Sequence, residues 1–327
     1  MESSTRVLEA PPRRERAGEG PVPTPPKRGL PRESAARPDG ASLRPPGMLR
    51  RLRSDRAASA ALLLLSLIAL GSVGAPLLSP SSPDVIVPRE KLQSPSARHP
   101  FGTDDLGRDL FVRVLHGGRA SIAVGITAVV ITLLIGIVGG AMAGFYGGVA
   151  DSLVMRLADV MLSIPVFLII LLSTSILSPG FVLLCCLIGS VQWMEVARVV
   201  RASVISTSGR EFVAAARALG IPRARILFRH VLPHAGGPIL IAATLGLAQA
   251  IVMESTLSFF GFGLQPPAVS WGSLLKDAQS YLSTAPWIAL FPGIMIIATV
   301  LSCYVLGEFL KSMLAPGKIA RTPWFRG

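Results

Sequence analysis

The chain has 327 residues, half of them hydrophobic, with 16% charged and a net charge of +13. Its mean hydropathy is +0.56, and soluble domains carry about 25% charge, so apolar runs of this length exclude an ordinary soluble fold. The basic excess sits in tails and short connectors rather than on one folded face, which argues against nucleic-acid binding.

Residues 1–50 hold ten prolines and several Arg/Glu clusters but almost no apolar periodicity. Such a segment buries too little surface to offset its ordering entropy, and it is expected to be a disordered cytoplasmic tail. From Ala57 to Leu78 the chain reads AASAALLLLSLIALGSVGAPLL, without a charge. That length crosses a ~30 Å hydrocarbon core. A cleaved secretory leader is the rival reading, since RRLRSDR precedes the leucines; the long preceding tail favours an uncleaved span.

Five further runs follow near 120–145, 160–178, 181–203, 237–262 and 286–310. SPG at 178–180 makes the pair at 160–203 a hairpin. The expected fold is therefore all-α: a polytopic bundle of six transmembrane helices. With the N-terminus inside, the cytoplasmic pieces hold 25 of the 32 Lys and Arg residues. This bias fits the positive-inside tendency and puts both termini in the cytoplasm. Domain limits follow: a tail to residue 50, the first span and start of an outer loop over 51–98, a core over 99–315, and a C-terminal tail over 316–327.

The stretch SGREFVAAARALGIPRARILFRHVLPHA (208–235) carries five arginines between two apolar runs. Ser208 followed by Glu211 reads as a capping box. Helix formers continue to Leu219, and Gly220 and Pro222 read as the stop. The expected helix spans about eleven residues, 209–220. Ala214, Ala215 and Ala218 give it a small face that admits close approach, and Phe212, Val213 and Leu219 offer apolar contacts. Docking to a partner and lying along the membrane surface fit these residues equally well.

EFVAAARALG followed by Leu232-Pro233 resembles the cytoplasmic signature loop of bacterial ABC importer permeases. That pattern is Glu-Ala-Ala, three residues, Gly, nine residues, then Ile-x-Leu-Pro. Ala215, Ala216, Gly220, Leu232 and Pro233 match it, whereas Ala214 stands at the Glu position and His230 at the Ile position. HPFGTDDLGRDLFVRVLHGGRASI (99–122), GFYGGVADSLVMRLADVMLSIP (144–165) and LSFFGFGLQPPAVSWGSLL (257–275) are similar to the dipeptide, oligopeptide and nickel branch of that family. The resemblance covers roughly residues 95–315.

It implies the permease fold of a type I ABC importer in the bacterial inner membrane. It also implies that the loop is a coupling helix, with Glu211, Phe212, Ala214, Ala215, Ala216, Leu219, Gly220, Leu232 and Pro233 as its residues. The implied partners are a second permease subunit, two ATPase subunits that bind the ATP and Mg, an external binding protein, and lipid. The implied cargo is di- or oligopeptide, with nickel chelates or another small solute as the alternative and a secondary transporter as a more distant one.

Glu254, inside the fifth span, is the candidate pathway or gate residue, because an ionisable group at that depth needs water or partners; a packing role competes. Glu195 and Trp193 read as interface anchors, with Glu195–Arg198 and Arg156–Asp159 as i,i+3 pairs. The outer segments 102–109 and 261–282 read as structured loops or as docking for the binding protein, the second with a short helix from near Ser270. Cys185, Cys186 and Cys303 lie in apolar runs without CxxC spacing and read as packing. No phosphate-loop, HExxH or GxSxG motif occurs, so no catalytic, metal or cofactor site is expected in this chain.

Overall fold

The computed structural model describes residues 48–78, 82–177 and 180–314. The tail to residue 47, most of the 178–180 turn and the C-terminal tail lie outside these residues. Twelve α-helical elements follow in order. They are α1 (Met48–Ser54), α2 (Arg56–Val73), α3 (Ala75–Leu78), α4 (Leu110–Tyr146), α5 (Gly148–Ser163) and α6 (Val166–Ile176), then α7 (Phe181–Ser208), α8 (Glu211–Ala218), α9 (Arg223–Arg225), α10 (Gly236–Phe259), α11 (Trp271–Ala278) and α12 (Trp287–Leu314). Among the described residues the one β interaction is an isolated bridge between Thr103 and Asp109.

Five helical stretches are long and apolar enough to cross a membrane: α2, α4, α7, Arg223–Phe259 and α12. A sixth crossing exists if the α5–α6 pair counts as one span, but that pair is bent by 81°. The expected straight span over 160–178 is thus a broken one. Proline biases the residue before it away from helical backbone, and Ile164, preceding Pro165, is extended at φ −100°, ψ 132°. The chain turns there.

The second span is much longer than its apolar run. α4 has 37 residues, about 55 Å at 1.5 Å per residue. Asp109 caps it, its carboxylate accepting from the Val112 N–H at 3.2 Å. The helix therefore begins ten residues before the expected limit and includes Arg113, His116 and Arg119, and its length exceeds a ~30 Å hydrocarbon core.

α4 and α7 pack most intimately. Along α4, Gly136, Gly140 and Gly144 recur at i,i+4, and a β-carbon on any of them would collide with α7. Such small-residue ladders allow helices in lipid to approach backbone to backbone. One apolar cluster joins α4, α6, α7 and α10 around Val124, Ile170, Ile188 and Leu257. A second joins α4, α10, α11 and α12 around Leu110, Ile251, Trp271 and Ile288. A third lies under the charged loop and uses Val200, Val204, Val213, Ile226 and Val231.

Candidate functional site

The loop after α7 is a compact, braced structure. α7 continues through Ser208, so Ser208 ends one helix instead of capping the next. The next helix, α8, starts at Glu211 with Arg210 at its N-cap and no side-chain cap. The expected capping box is absent, and the helix has eight residues instead of eleven. Its far end matches expectation. Gly220 is left-handed at φ +71°, its N–H donates to the Arg217 carbonyl at 3.0 Å, and the Ile221 N–H reaches back to the Ala216 carbonyl at 3.2 Å. These are the paired bonds of a glycine-terminated helix.

Two faces of α8 then separate. Val213 and Ala216 are buried in the cluster beneath the loop, so Val213 is not available to a partner as expected, and Ala216 also faces the bundle. Leu232 packs on the same cluster. Phe212 stacks on His234 with ring centroids 5.3 Å apart, and the Arg217 guanidinium sits 5.9 Å over the Phe145 ring. Glu211, Ala214, Ala215, Gly220 and Pro233 are exposed, and Leu219 is 81% exposed. After Pro222 the chain forms a short turn of π-helix at Ile226–Val231, then Leu232–Ala235, and enters α10. The loop thus offers an apolar and small-residue surface on a support fixed to α7 and α10.

Glu254 on α10 is wholly buried. Its carboxyl accepts from the hydroxyls of Ser121 (2.8 Å), Ser258 (2.7 Å) and Ser255 (3.4 Å). Ser121 in turn accepts from the Trp271 N–H at 3.2 Å. This network ties α4 and α10 to α11. The helix expected from near Ser270 is present, with Ser270 and Ser273 forming a mutual cap.

The segment 102–109 is held by Asp104, which is buried. It accepts from the N–H groups of Leu106 and Arg108 at 2.9 Å, and from the guanidinium groups of Arg108 and Arg113 at 2.6 Å. Arg113 also reaches Asp277 of α11 at 3.5 Å. His99 bridges Asp109 (2.7 Å) and Glu90 (3.3 Å). Burial pushes the Asp277 carboxyl above its usual range, while the Arg113 and Arg108 charges oppose that shift. These contacts make the segment a structured cap on the bundle.

Three expected interactions are replaced. α7 extends to Ser208, so Trp193 and Glu195 lie near its middle and not at its end. Trp193 is buried against Ala158 and Ala197 and anchors no interface. Arg198 bonds Asp159 of α5 at 2.5 Å, which takes both residues away from the i,i+3 partners expected for them.

Sequence reasoning missed one arrangement. Two adjoining grooves of about 380 and 500 Å³ run along the exposed side of α7 and α10, and Gln192, Glu195 and Gln249 line both. Glu254 lines neither. The available signal was Gln192 and Glu195 at i,i+3 inside an apolar run, which puts both on one helix face. Among the described residues no group of three or more His, Cys, Asp or Glu could hold a metal ion.

Five to six apolar crossings, polar side chains exposed half-way along two of them, and a braced loop with an open apolar face define an integral membrane protein of the transport class. The chain belongs to the family described as "Binding-protein-dependent transport system inner membrane component", whose model matches residues 136–319. The model "N-terminal TM domain of oligopeptide transport permease C" matches residues 47–95. Three relatives extend the match. The dipeptide transport system permease protein DppC of Alkalihalophilus pseudofirmus is 39% identical over 267 residues, 82% of this chain and 88% of the relative. The oligopeptide transport system permease protein OppC of Bacillus subtilis is 37% identical over 266 residues, 81% and 87% of the two chains. The di/tripeptide transport system permease protein DppC of Pseudomonas aeruginosa is 36% identical over 268 residues, 80% and 88%. The chain is accordingly a multi-pass inner-membrane permease subunit of an ABC importer.

Proposed function

We propose that this subunit carries di- or oligopeptides inward, and that α8 with its glycine cap is the coupling element that seats in a cytoplasmic ATPase subunit. The peptide reading is supported by the names of the relatives, which span most of the chain. The coupling reading is carried by one observation: Leu219 stands 81% exposed at the tip of a loop whose opposite face is locked into the bundle. An apolar side chain held out rigidly beside small residues suits insertion into a cleft.

In this mechanism an external binding protein delivers cargo, and two ATPase subunits bind ATP. Their closure moves α8, and the cluster around Val200, Val213 and Ile226 passes that movement to α7 and α10. A second permease subunit supplies the other half of the pathway. Glu254 serves as an anchor of the outer gate through its bonds toward α4 and α11. The arginine-rich loop and both termini lie in the cytoplasm. A disulfide or thiol cross-link from Leu219→Cys to the ATPase subunit in the assembled transporter tests the assignment. Efficient ATP-sensitive cross-linking is expected; modification of that cysteine only from the outer face would end the proposal.

A further inference from the structure

The grooves along α7 and α10 contain charge where lipid would not tolerate it. α7 has 28 residues, and Glu195 is ~20 Å from either end by helix rise, inside the stretch apolar enough to cross a membrane. Gln249 lies about 15 Å from the Phe259 end of α10. Glu195 and Gln249 are exposed, in contrast to Glu254, which is enclosed by serines. A carboxylate at this depth costs roughly 2.5–3.5 kcal/mol on insertion scales unless it meets water or a partner. This face therefore meets the pathway or the second permease subunit and not acyl chains.

The chemistry of the groove is acceptor-rich. Among the described residues Glu195 makes no ion pair or hydrogen bond. Arg198, one turn away, is engaged by Asp159 at 2.5 Å. Lys311, the cation at the far end of the larger groove, is bonded to Glu308 at 3.1 Å. Gln249, exposed on α10, lines the same grooves and offers its amide oxygen as an acceptor. An exposed, unpaired carboxylate in a groove that also holds an amide oxygen suits a cationic ligand with several N–H donors, and a primary ammonium supplies three.

We infer that Glu195, with Gln249, is a transit site for the ammonium group of the cargo. The inference rests on the peptide-importer reading and deepens it. Both the α-ammonium of a peptide and a lysine side chain present this chemistry. The apolar residues around it, among them Phe167, Val252 and Met253, suit side chains of varied shape.

The test uses the complete reconstituted transporter with its binding protein, ATP, and two probes: trialanine and an alanine-lysine-alanine peptide. Because the binding protein is the same throughout, its preferences cancel in the ratio of variant to wild-type uptake. Loss of one charge-assisted hydrogen bond corresponds to about a tenfold change, so Glu195→Gln should slow uptake by about that factor. Binding-protein-stimulated ATP hydrolysis should stay within about twofold, and Glu195→Asp should recover most of the uptake. An equal fall for both peptides identifies the α-ammonium as the partner; a fall mainly for the lysine peptide identifies the side chain. Uptake by Glu195→Gln within twofold of wild type for both probes would overturn the site. Failure of Glu195→Asp to recover, or a parallel loss of ATP hydrolysis, would assign Glu195 to assembly instead. If the wild-type transporter moved neither peptide, the peptide reading itself would fall, and the site with it.

Discussion

Gly140 of α4 lies against the backbone of α7, so that a β-carbon on it would stand 2.4 Å from the carbonyl oxygen of Ala197. Gly136 and Gly144, one turn to either side, face Val196 and Arg201 in the same way. These contacts are with main chain or β-branched side chains, which cannot rotate aside. Lipid tails are as apolar as leucine, so close packing replaces hydrophobic force in holding such helices together.

Gly140→Ala should therefore destabilise the subunit by about 1–3 kcal/mol, the usual range for overpacking. Gly139→Ala is the matched control, since its nearest neighbour would be Val154 at 3.5 Å, an ordinary contact. Thermal unfolding of the two variants in detergent should separate them clearly. Equal stabilities would mean that α4 and α7 adjust to one another freely.

Arg201 and Asp151 fasten α7 to α5 by two parallel bonds of 2.5 and 2.6 Å. Both side chains are partly exposed, at 34% and 24%, so the pair contributes about 1 kcal/mol, near the top of the surface range. A double-mutant cycle on Asp151→Asn and Arg201→Gln should return a coupling of that size. Arg201→Lys should lose most of it, because a lysine cannot form the planar fork.

How far the sequence foretold this structure depends on which physical signal each feature leaves. The spans were legible because uncharged runs of twenty residues have few other uses. The first turns of α4 were not: Arg113, His116 and Arg119 look like loop, and only the Asp104 network shows why a charged helix persists there. The far end of α8 was legible because Gly220 and Pro222 leave few backbone choices. Its near end was misread, since Ser208 followed by Glu211 imitates a cap although α7 continues through the serine. The break between α5 and α6 was announced by Pro165, yet hydropathy averaged across it. Glu195 was misjudged because pairing it with Arg198 needed only local spacing, whereas the true partner of Arg198, Asp159, comes from another helix.

Gly220 separates cap geometry from surface chemistry. A β-carbon there would meet nothing within 4 Å, and φ is +71°. Gly220→Ala thus costs about 1–2 kcal/mol for the left-handed backbone and leaves the docking face almost unaltered, so uptake should stay within about twofold. Gly220→Arg adds the same backbone cost plus a long cation beside Leu219. It should abolish uptake while membrane insertion persists. Uptake assays with immunodetection of the inserted protein check both variants, and normal transport by Gly220→Arg would count against α8 as the coupling element.

The cap formed around segment 102–109 supplies a pH dependence whose sign follows from Asp277. Burial raises its carboxyl above the ordinary 3.8, against the pull of Arg113 and Arg108. The folded state consequently favours the protonated form more than the unfolded state does. The stability contributed by this group is fully present below pH 3.8 and is lost as pH rises through the elevated folded value. Its side chain is 42% exposed, so solvent screening keeps the effect below about 1 kcal/mol. Asp277→Asn removes the titrating group and retains the shape. The wild-type protein should gain stability relative to this variant as the pH falls from 7 toward 4, measured by thermal unfolding in detergent. A difference that grew in the opposite direction would mean that the Arg113 charge outweighs burial, and that the Arg113–Asp277 contact works as an ion pair holding α11 to α4.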